Sequence, residues 1–238
     1  MMVKIYLDAG HGGKDSGAVG NGLFEKNLTL EITQRIEKLL KANYKNVEIN
    51  TTRETDIFLS LDERTNKANA WKADVFVAVH INSGTATARG FESHIYTKVG
   101  SDTKAFQNVM HESIFSQIKS FGVTDRGKKQ SDFHVLRESH MIAILTENLF
   151  VSNSADAALL KNSAFLDKVA QGHVLGLEKF FGLVKALPPP SPTPSPTPVD
   201  SEEMYQVIAG TFADKDNADA LVKKLEADGY KPYINKKQ

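Results

Sequence analysis

Cysteine is missing from this 238-residue chain, which excludes disulfides, thiol nucleophiles and thiolate metal ligands. Any metal it holds must sit on nitrogen and oxygen donors. Excess charge of either sign is missing too, since 29 basic residues balance 29 acidic ones. That leaves no electrostatic footprint for a nucleic acid or an anionic membrane surface. No apolar run approaches the length of a bilayer span, so membrane insertion is not expected. The opening MMVKIYLDAG lacks a basic segment followed by a long apolar one. The expectation is a protein made in the cytoplasm without a signal peptide.

Proline is nearly missing as well: none occurs before residue 188, and seven of the eight fall in PPPSPTPSPTP, residues 188–198. Such a run favours the polyproline II conformation and acts as a semi-rigid spacer, about 3.1 Å per residue. It divides the chain into a first domain over 1–184, a linker over 185–200 and a tail over 201–238. In the first domain VKIYLDAG, VEINTT, DVFVAVHIN, FESHIYT and IAILTENLF read as strands. Helical stretches alternate with them; NLTLEITQRIEKLLKANY sets Leu28, Ile32, Ile36, Leu39 and Leu40 on one face. The alternation predicts an α/β domain: an open, mostly parallel or mixed twisted sheet with helices on both faces. DVFVAVHI is apolar on both sides, as a central parallel strand should be. The tail reads strand, amphipathic helix, strand, a small βαβ unit with little core.

What is plentiful is glycine in one place. LDAGHGGKDSGAVG, residues 7–20, holds five of the sixteen glycines, a density that requires unusual dihedrals or close approach to a ligand. A phosphate cradle does not fit: G-x-x-x-x-G-K-[ST] finds no match, and Asp15 stands where G-x-G-x-x-G needs its third glycine. Ionisable residues fall at comparable positions elsewhere. His11 follows the first strand, His80 ends an apolar strand, and Glu147 interrupts another. Strand ends of an open α/β sheet line one crevice, and Glu25, opening the next helix, can fold back towards His11. Two imidazoles with carboxylates fit a zinc ion that keeps one position open for water. Asp8 or Asp15 is placed to accept the second N–H of a ligating imidazole. Singly, each residue has a structural reading: a hydrogen-bonded histidine at a strand end, or a glutamate favouring a helix dipole.

Several blocks together, DAGHGGKDSGAVGNGLFEKNLTLEI, TTRETDIFLSLDERTNKAN, ADVFVAVHINSG, RGFESHIYT and ILTENLFVSN, resemble the zinc-dependent N-acetylmuramoyl-L-alanine amidases of the amidase-3 type. The likeness runs in order across nearly all of residues 3–182 and includes amidases of mother-cell lysis and phage endolysins. It implies Zn2+ held by His11, Glu25 and His80, with Glu147 as the catalytic acid and base. The reaction implied is hydrolysis of the amide joining N-acetylmuramic acid to L-alanine in peptidoglycan. Asn82, Arg64 and His134 are candidate substrate-binding residues; His94, His111, His140 and His173 are read as structural. The tail resembles half of a SPOR repeat, a peptidoglycan-binding module, and two such tails pairing would give a homodimer. Without an export signal, the enzyme would meet the wall after lysis or holin-mediated release. The alternatives are a non-catalytic peptidoglycan-binding protein and a zinc peptidase acting within the stem peptide.

Overall fold

The structure, a computed structural model, describes residues 2–186, 210–232 and 234. The chain divides into two units, Met1–Pro189 and Pro190–Gln238. The first begins with β1 (Val3–Ala9), then the glycine loop and a short hairpin, β2 (Val19–Gly20) and β3 (Leu23–Phe24). Next come α1 (Glu25–Asn43), β4 (Val47–Thr51), α2 (Leu61–Trp71), β5 (Val75–Asn82) and β6 (Phe91–Ile95). They are followed by α3 (Ser101–Ile118), β7 (Asp125–Gln130), the short α4 (His134–Arg137), β8 (Ile142–Phe150), α5 (Ser154–Leu160) and α6 (Ser163–Phe181).

Six strands form one sheet in the order β4-β1-β5-β8-β6-β7. The pairs β1–β4, β1–β5, β5–β8 and β6–β7 are parallel, and β6–β8 is antiparallel. Alternation along β5 feeds two cores. Val75, Val77, Val79 and Ile81 pack with Leu28, Ile32 and Ile36 of α1 and with residues of α3 and α6. Phe76 and Ala78 turn to the other face, against Ala68 of α2 and Val135 and Leu136 of α4. That double burial is why β5 is apolar on both sides. The second face carries His80 and Glu147, which are register partners on β5 and β8.

Local chemistry sets the helix ends. Ser60 and Glu63 form a reciprocal capping box that starts α2. SADAALLKNSAFLDKVAQGHVLGLEKFFG, one continuous apolar-periodic stretch, breaks into α5 and α6 because Asn162 caps a new helix on Ala164 N. Strand β7, DRGKKQ, carries no apolar residue, and the residue pattern gave no sign of it. It lies at the sheet edge, where charged side chains face water and discourage pairing with another chain.

In the second unit the described element is α7 (Lys215–Ala227), capped by Asp214 on Asp216 N. The strand expected at YQVIAG lies outside the described residues except for Gly210. Of the one expected at YKPYIN, Tyr230, Lys231, Pro232 and Ile234 are described and none of them is in a strand, while Tyr233 and Asn235 lie outside the described residues. Among the described residues no helix is long and apolar enough to cross a membrane.

Candidate active site

The glycine loop leaves the carboxyl end of β1 and places His11 with φ 61°, a left-handed conformation rarely held by a non-glycine residue. Strain of that kind persists only where surrounding contacts enforce it. Two buried arginines do so. Arg53 donates to the carbonyls of Ala9 and Gly10, both at 3.0 Å. Arg64 donates to the carbonyls of Ala9 and His11, both at 2.7 Å, and pairs with Asp8 at 2.7 Å. Arg64, expected to bind substrate, is 2% exposed and donates inside the fold to the Leu59, Ala9 and His11 carbonyls and to Asp8, so in this structure it clamps the loop. Asp8 is that clamp's counter-ion. Of the two acceptors considered for a ligating imidazole, Asp15 is the one in place, its Oδ2 lying 2.8 Å from His11 Nδ1.

Glu25 is the first residue of α1 and is buried. Its Oε2 lies 3.1 Å from His11 Nε2 and accepts from Ala18 N. Its Oε1 lies 3.0 Å from His80 Nδ1 and accepts from Ile81 N. The donor atoms of His11, Glu25 and His80 all fall within 4.8 Å of one another. Glycine is required around them. A Cβ on Gly10 would come within 2.4 Å of the His80 ring, and one on Gly17 within 2.6 Å of both Glu25 Oε2 and the His11 ring. The flexible loop exists so that two imidazoles and a carboxylate can converge without side chains between them.

Electrostatics describe a site that wants positive charge. Burial works against a charged His11, but hydrogen bonds and attraction from Glu25 and Asp15 outweigh it, and its pKa rises to about 9. His80 is raised in the same sense by Glu25 against its own burial. Glu25, although buried, is pulled well below the usual carboxylate range by the two imidazoles. A cluster that draws protons onto two histidines through one carboxylate can take a divalent cation in their place.

Glu147 differs from Glu25. It sits one strand over, opposite His80, and its Oε2 is buried without a hydrogen-bond partner. Burial pushes its pKa up to about 7, the charges of Glu25 and Glu92 adding to the rise while His80 and His11 oppose it. A carboxyl group poised near neutrality can both accept and return a proton.

The remaining expectations resolve differently. Asn82 donates to Glu92 Oε1 at 2.9 Å and accepts from Ser83 N, so its amide is engaged within the rim. His134, the first residue of α4, holds its Nε2 3.1 Å from Asp62 Oδ1 of α2. His111 and His173 are buried structural residues: His111 bridges Ser93 and Asp125, and His173 bridges Thr146 and the Val169 carbonyl. His94 touches Glu92 and Ser131. The residue pattern did not mark Glu92; its signal was a second acidic residue inside a buried strand, Phe91–Ile95, read only as alternation.

A His–Glu–His donor set beside a buried carboxyl group, at the carboxyl ends of parallel strands, defines an α/β protein with a candidate metal site. The comparisons give the family. The chain belongs to the N-acetylmuramoyl-L-alanine amidase family of the amidase-3 type, whose profile matches residues 5–179, and a SPOR domain profile matches residues 178–236. A sporulation-specific N-acetylmuramoyl-L-alanine amidase of Bacillus subtilis (strain 168) is 44% identical over 229 residues, 96% of this chain and 83% of that protein. The endolysin of Bacillus phage SPP1 is 46% identical over 187 residues, 78% of this chain and 68% of that protein. Among solved structures, the catalytic domain of CwlV, an N-acetylmuramoyl-L-alanine amidase from Bacillus (Paenibacillus) polymyxa var. colistinus, matches with a TM-score of 0.72 at 39% identity. It covers 77% of this chain and 100% of that one.

Proposed function

We propose that the chain hydrolyses the amide between the lactyl group of N-acetylmuramic acid and L-alanine in peptidoglycan, with zinc held by His11, Glu25 and His80. The observation that carries this reading is the convergence of those three donors next to Glu147, whose Oε2 has no partner. The donor set fits zinc because it is nitrogen- and oxygen-only and offers three protein ligands, the number that leaves a coordination position open. When bound, the ion lowers the pKa of a water and polarises the lactyl carbonyl.

The chain's own residues do the rest. Asp15 holds His11 through Nδ1, which leaves Nε2 as the atom for the ion. Ala18 N and Ile81 N fix the two oxygens of Glu25, so the carboxylate cannot rotate out of the cluster. Glu147 takes the proton from the attacking water at its buried carboxyl group and returns it to the leaving α-amine. Asn82 and His134 stay as substrate-contact candidates on the crevice side of β5 and at the α2–α4 rim.

We further propose the division 1–184 catalytic, 185–200 linker and 201–238 wall-binding, with two tails able to pair as a homodimer. Action on the wall after lysis or holin-mediated release fits an endolysin and a sporulation amidase among the relatives.

The test is direct. Purified protein is incubated with peptidoglycan and the new amino termini are labelled, with a chelator and with zinc restored. Chelator-sensitive, zinc-restored release of N-terminal L-alanine is expected. A different amino terminus would make the enzyme a peptidase within the stem, and wall binding without release would leave only a binding module.

A further inference from the structure

Two cations at the crevice rim have no part in the chemistry above. Arg126 and Lys129 lie three residues apart on β7, a spacing that turns side chains to opposite faces of a regular strand. Between them Gly127 has φ 82°, and the register against β6 slips by one residue: Phe91 faces Asp125 while Ser93 faces Lys128. This bulge returns both cations to one face, the re-aiming that bulges beside active sites perform. There Arg126 Nε and Lys129 Nζ each reach Glu92 Oε2 at 2.5 Å. Glu92 is in turn the register partner of Glu147 across β6 and β8, so the pair stands one strand from the group assigned to proton transfer.

The local charge does not cancel. Glu92 supplies one negative charge against two positive ones, and its other oxygen faces Asn82 and His94. His94 is kept neutral by burial, which lowers its pKa despite Glu92. Asp156, the other carboxylate that Arg126 acts on, is bound by the amides of Gly90 and Phe150 and shared with Arg89. One positive charge is left over. It is also accessible: the Arg126 side chain is 33% exposed and that of Lys129 37%, and the Arg126 guanidinium carbon sits over Phe150, 4.8 Å from the ring centre. Among the described residues only Nε of Arg126 is hydrogen-bonded, so both of its terminal nitrogens have donors to offer.

We infer that Arg126 and Lys129 form a subsite for a carboxylate on the peptide side of the scissile amide. This rests on the amidase reading. The muramyl carboxyl group is itself consumed in that amide, so the substrate's free carboxylates belong to the peptide. The nearest is the α-carboxylate of the γ-linked glutamate that follows L-alanine, which some walls carry instead as a carboxamide. A surplus cation next to the catalytic carboxyl group selects the charged form, because hydrogen bonds to an ionised partner exceed neutral ones.

Two soluble muropeptides that differ only in this carboxylate or carboxamide are the probes. The wild-type protein is expected to favour the acid by roughly tenfold in kcat/KM. Arg126→Met and Lys129→Met should each bring the ratio towards one, mainly by raising KM for the acid. Glu92→Gln, which keeps both cations and removes their internal counter-ion, should increase the ratio. Competition by L-alanyl-D-glutamate capped at its γ-carboxyl group as the methylamide, against the isoglutaminyl counterpart capped in the same way, asks the same question of the wild-type protein without any variant. Equal rates and equal competition by both forms, or variants that slow both substrates alike, would overturn the subsite and leave the pair as a brace for Glu92. If neither muropeptide releases L-alanine, the amidase reading itself has failed.

Discussion

Glu25 and Glu147 are both buried, yet their surroundings drive them apart. Glu25 is locked between two imidazoles and two backbone amides and stays ionised. Glu147 has burial without a partner and holds its proton to about 7. Separated protonation preferences of this kind fit the proposed division into a ligand and a proton carrier. Glu147→Gln keeps the size and the fold, and should lower turnover by about 10²–10⁴-fold while bound zinc stays at wild-type stoichiometry. Turnover above a tenth of wild type, or loss of metal, would contradict that division. Arg64 belongs to another class of buried charge. Arg64→Met strands Asp8, whose Oδ2 already has no partner, and frees the strained His11 carbonyl. Breaking a buried pair from one side costs about 3–5 kcal/mol, so chemical denaturation should register a loss of that size. A loss below 1 kcal/mol would mean that the clamp is dispensable. His173 supplies a pH dependence. Burial lowers its pKa from 6.5 to about 4, so the unfolded chain binds a proton there before the folded one does. Its contribution is therefore present above pH 6.5 and is lost as pH falls towards 4, roughly 2 kcal/mol between pH 7 and pH 5. The raised pKa values of His11 and Glu147 act in the opposite sense over this range, so the difference between two proteins isolates His173. The change in unfolding free energy from pH 7 to pH 5 should be about 2 kcal/mol less favourable in the wild-type protein than in His173→Gln.

Between elements, glycine lets α6 approach α3 closely. A Cβ on Gly172 would fall 2.6 Å from Ile114 Cα, which is backbone and cannot swing away. At Gly176 the nearest atom is the flexible Met110 Sδ, with Met110 Cα at 3.0 Å. Alanine gains up to about 1 kcal/mol of helix propensity over glycine, but overpacking costs about 1–3 kcal/mol. Gly172→Ala should therefore destabilise and Gly176→Ala should do so less; a thermal melt with the order reversed would show that α6 slides freely on α3. Neither glycine was readable as a contact, because a helix pattern shows which face is apolar and not how near the partner comes. The same limit explains what else the residues concealed. Apolar strands such as Val75–Asn82 were legible because burial on two faces leaves only apolar side chains. Strand β7 was not, since an edge strand is held by backbone bonds to β6 and needs no apolar residue. Among candidate site residues, His11, His80 and Glu147 stood out as polar groups at strand ends or inside apolar runs, and Glu25 as the acid opening the helix after the glycine loop. The clamping contacts of Arg64 were not legible, because a buried arginine and a ligand-binding one look alike until the partners of its donors are known. The bulge at Gly127, which alone places Arg126 beside Lys129, depends on a register that only pairing reveals.

For the molecule as a whole, the question is what the second unit adds. The amidase profile ends at residue 179 and the SPOR profile runs from 178 to 236, so the two matches meet at the end of α6. The solved catalytic domain of CwlV covers 77% of this chain without the rest, which supports a first unit able to fold and work alone. The residues proposed as ligands, proton carrier and rim cations all lie between residues 11 and 147. A chain ending at residue 186 should then release L-alanine from soluble muropeptides at the full-length rate, because no group that touches the bond has been removed. On insoluble walls the comparison should differ. A tethered wall-binding module raises the local concentration of the catalytic unit at its polymer, an effect that reaches 10²–10⁴-fold when two sites engage together. Sedimentation with purified walls, followed by L-alanine release from the pellet, measures both quantities on one sample. The shortened chain should remain largely in the supernatant and act slowly on the pellet. If it sediments and cleaves as the full chain does, residues beyond 186 contribute nothing to wall capture, and pairing of two tails loses its purpose. If instead the full chain is captured better, light scattering at high micromolar concentration decides how: a doubled mass supports capture by paired tails, and a monomeric mass assigns it to a single one.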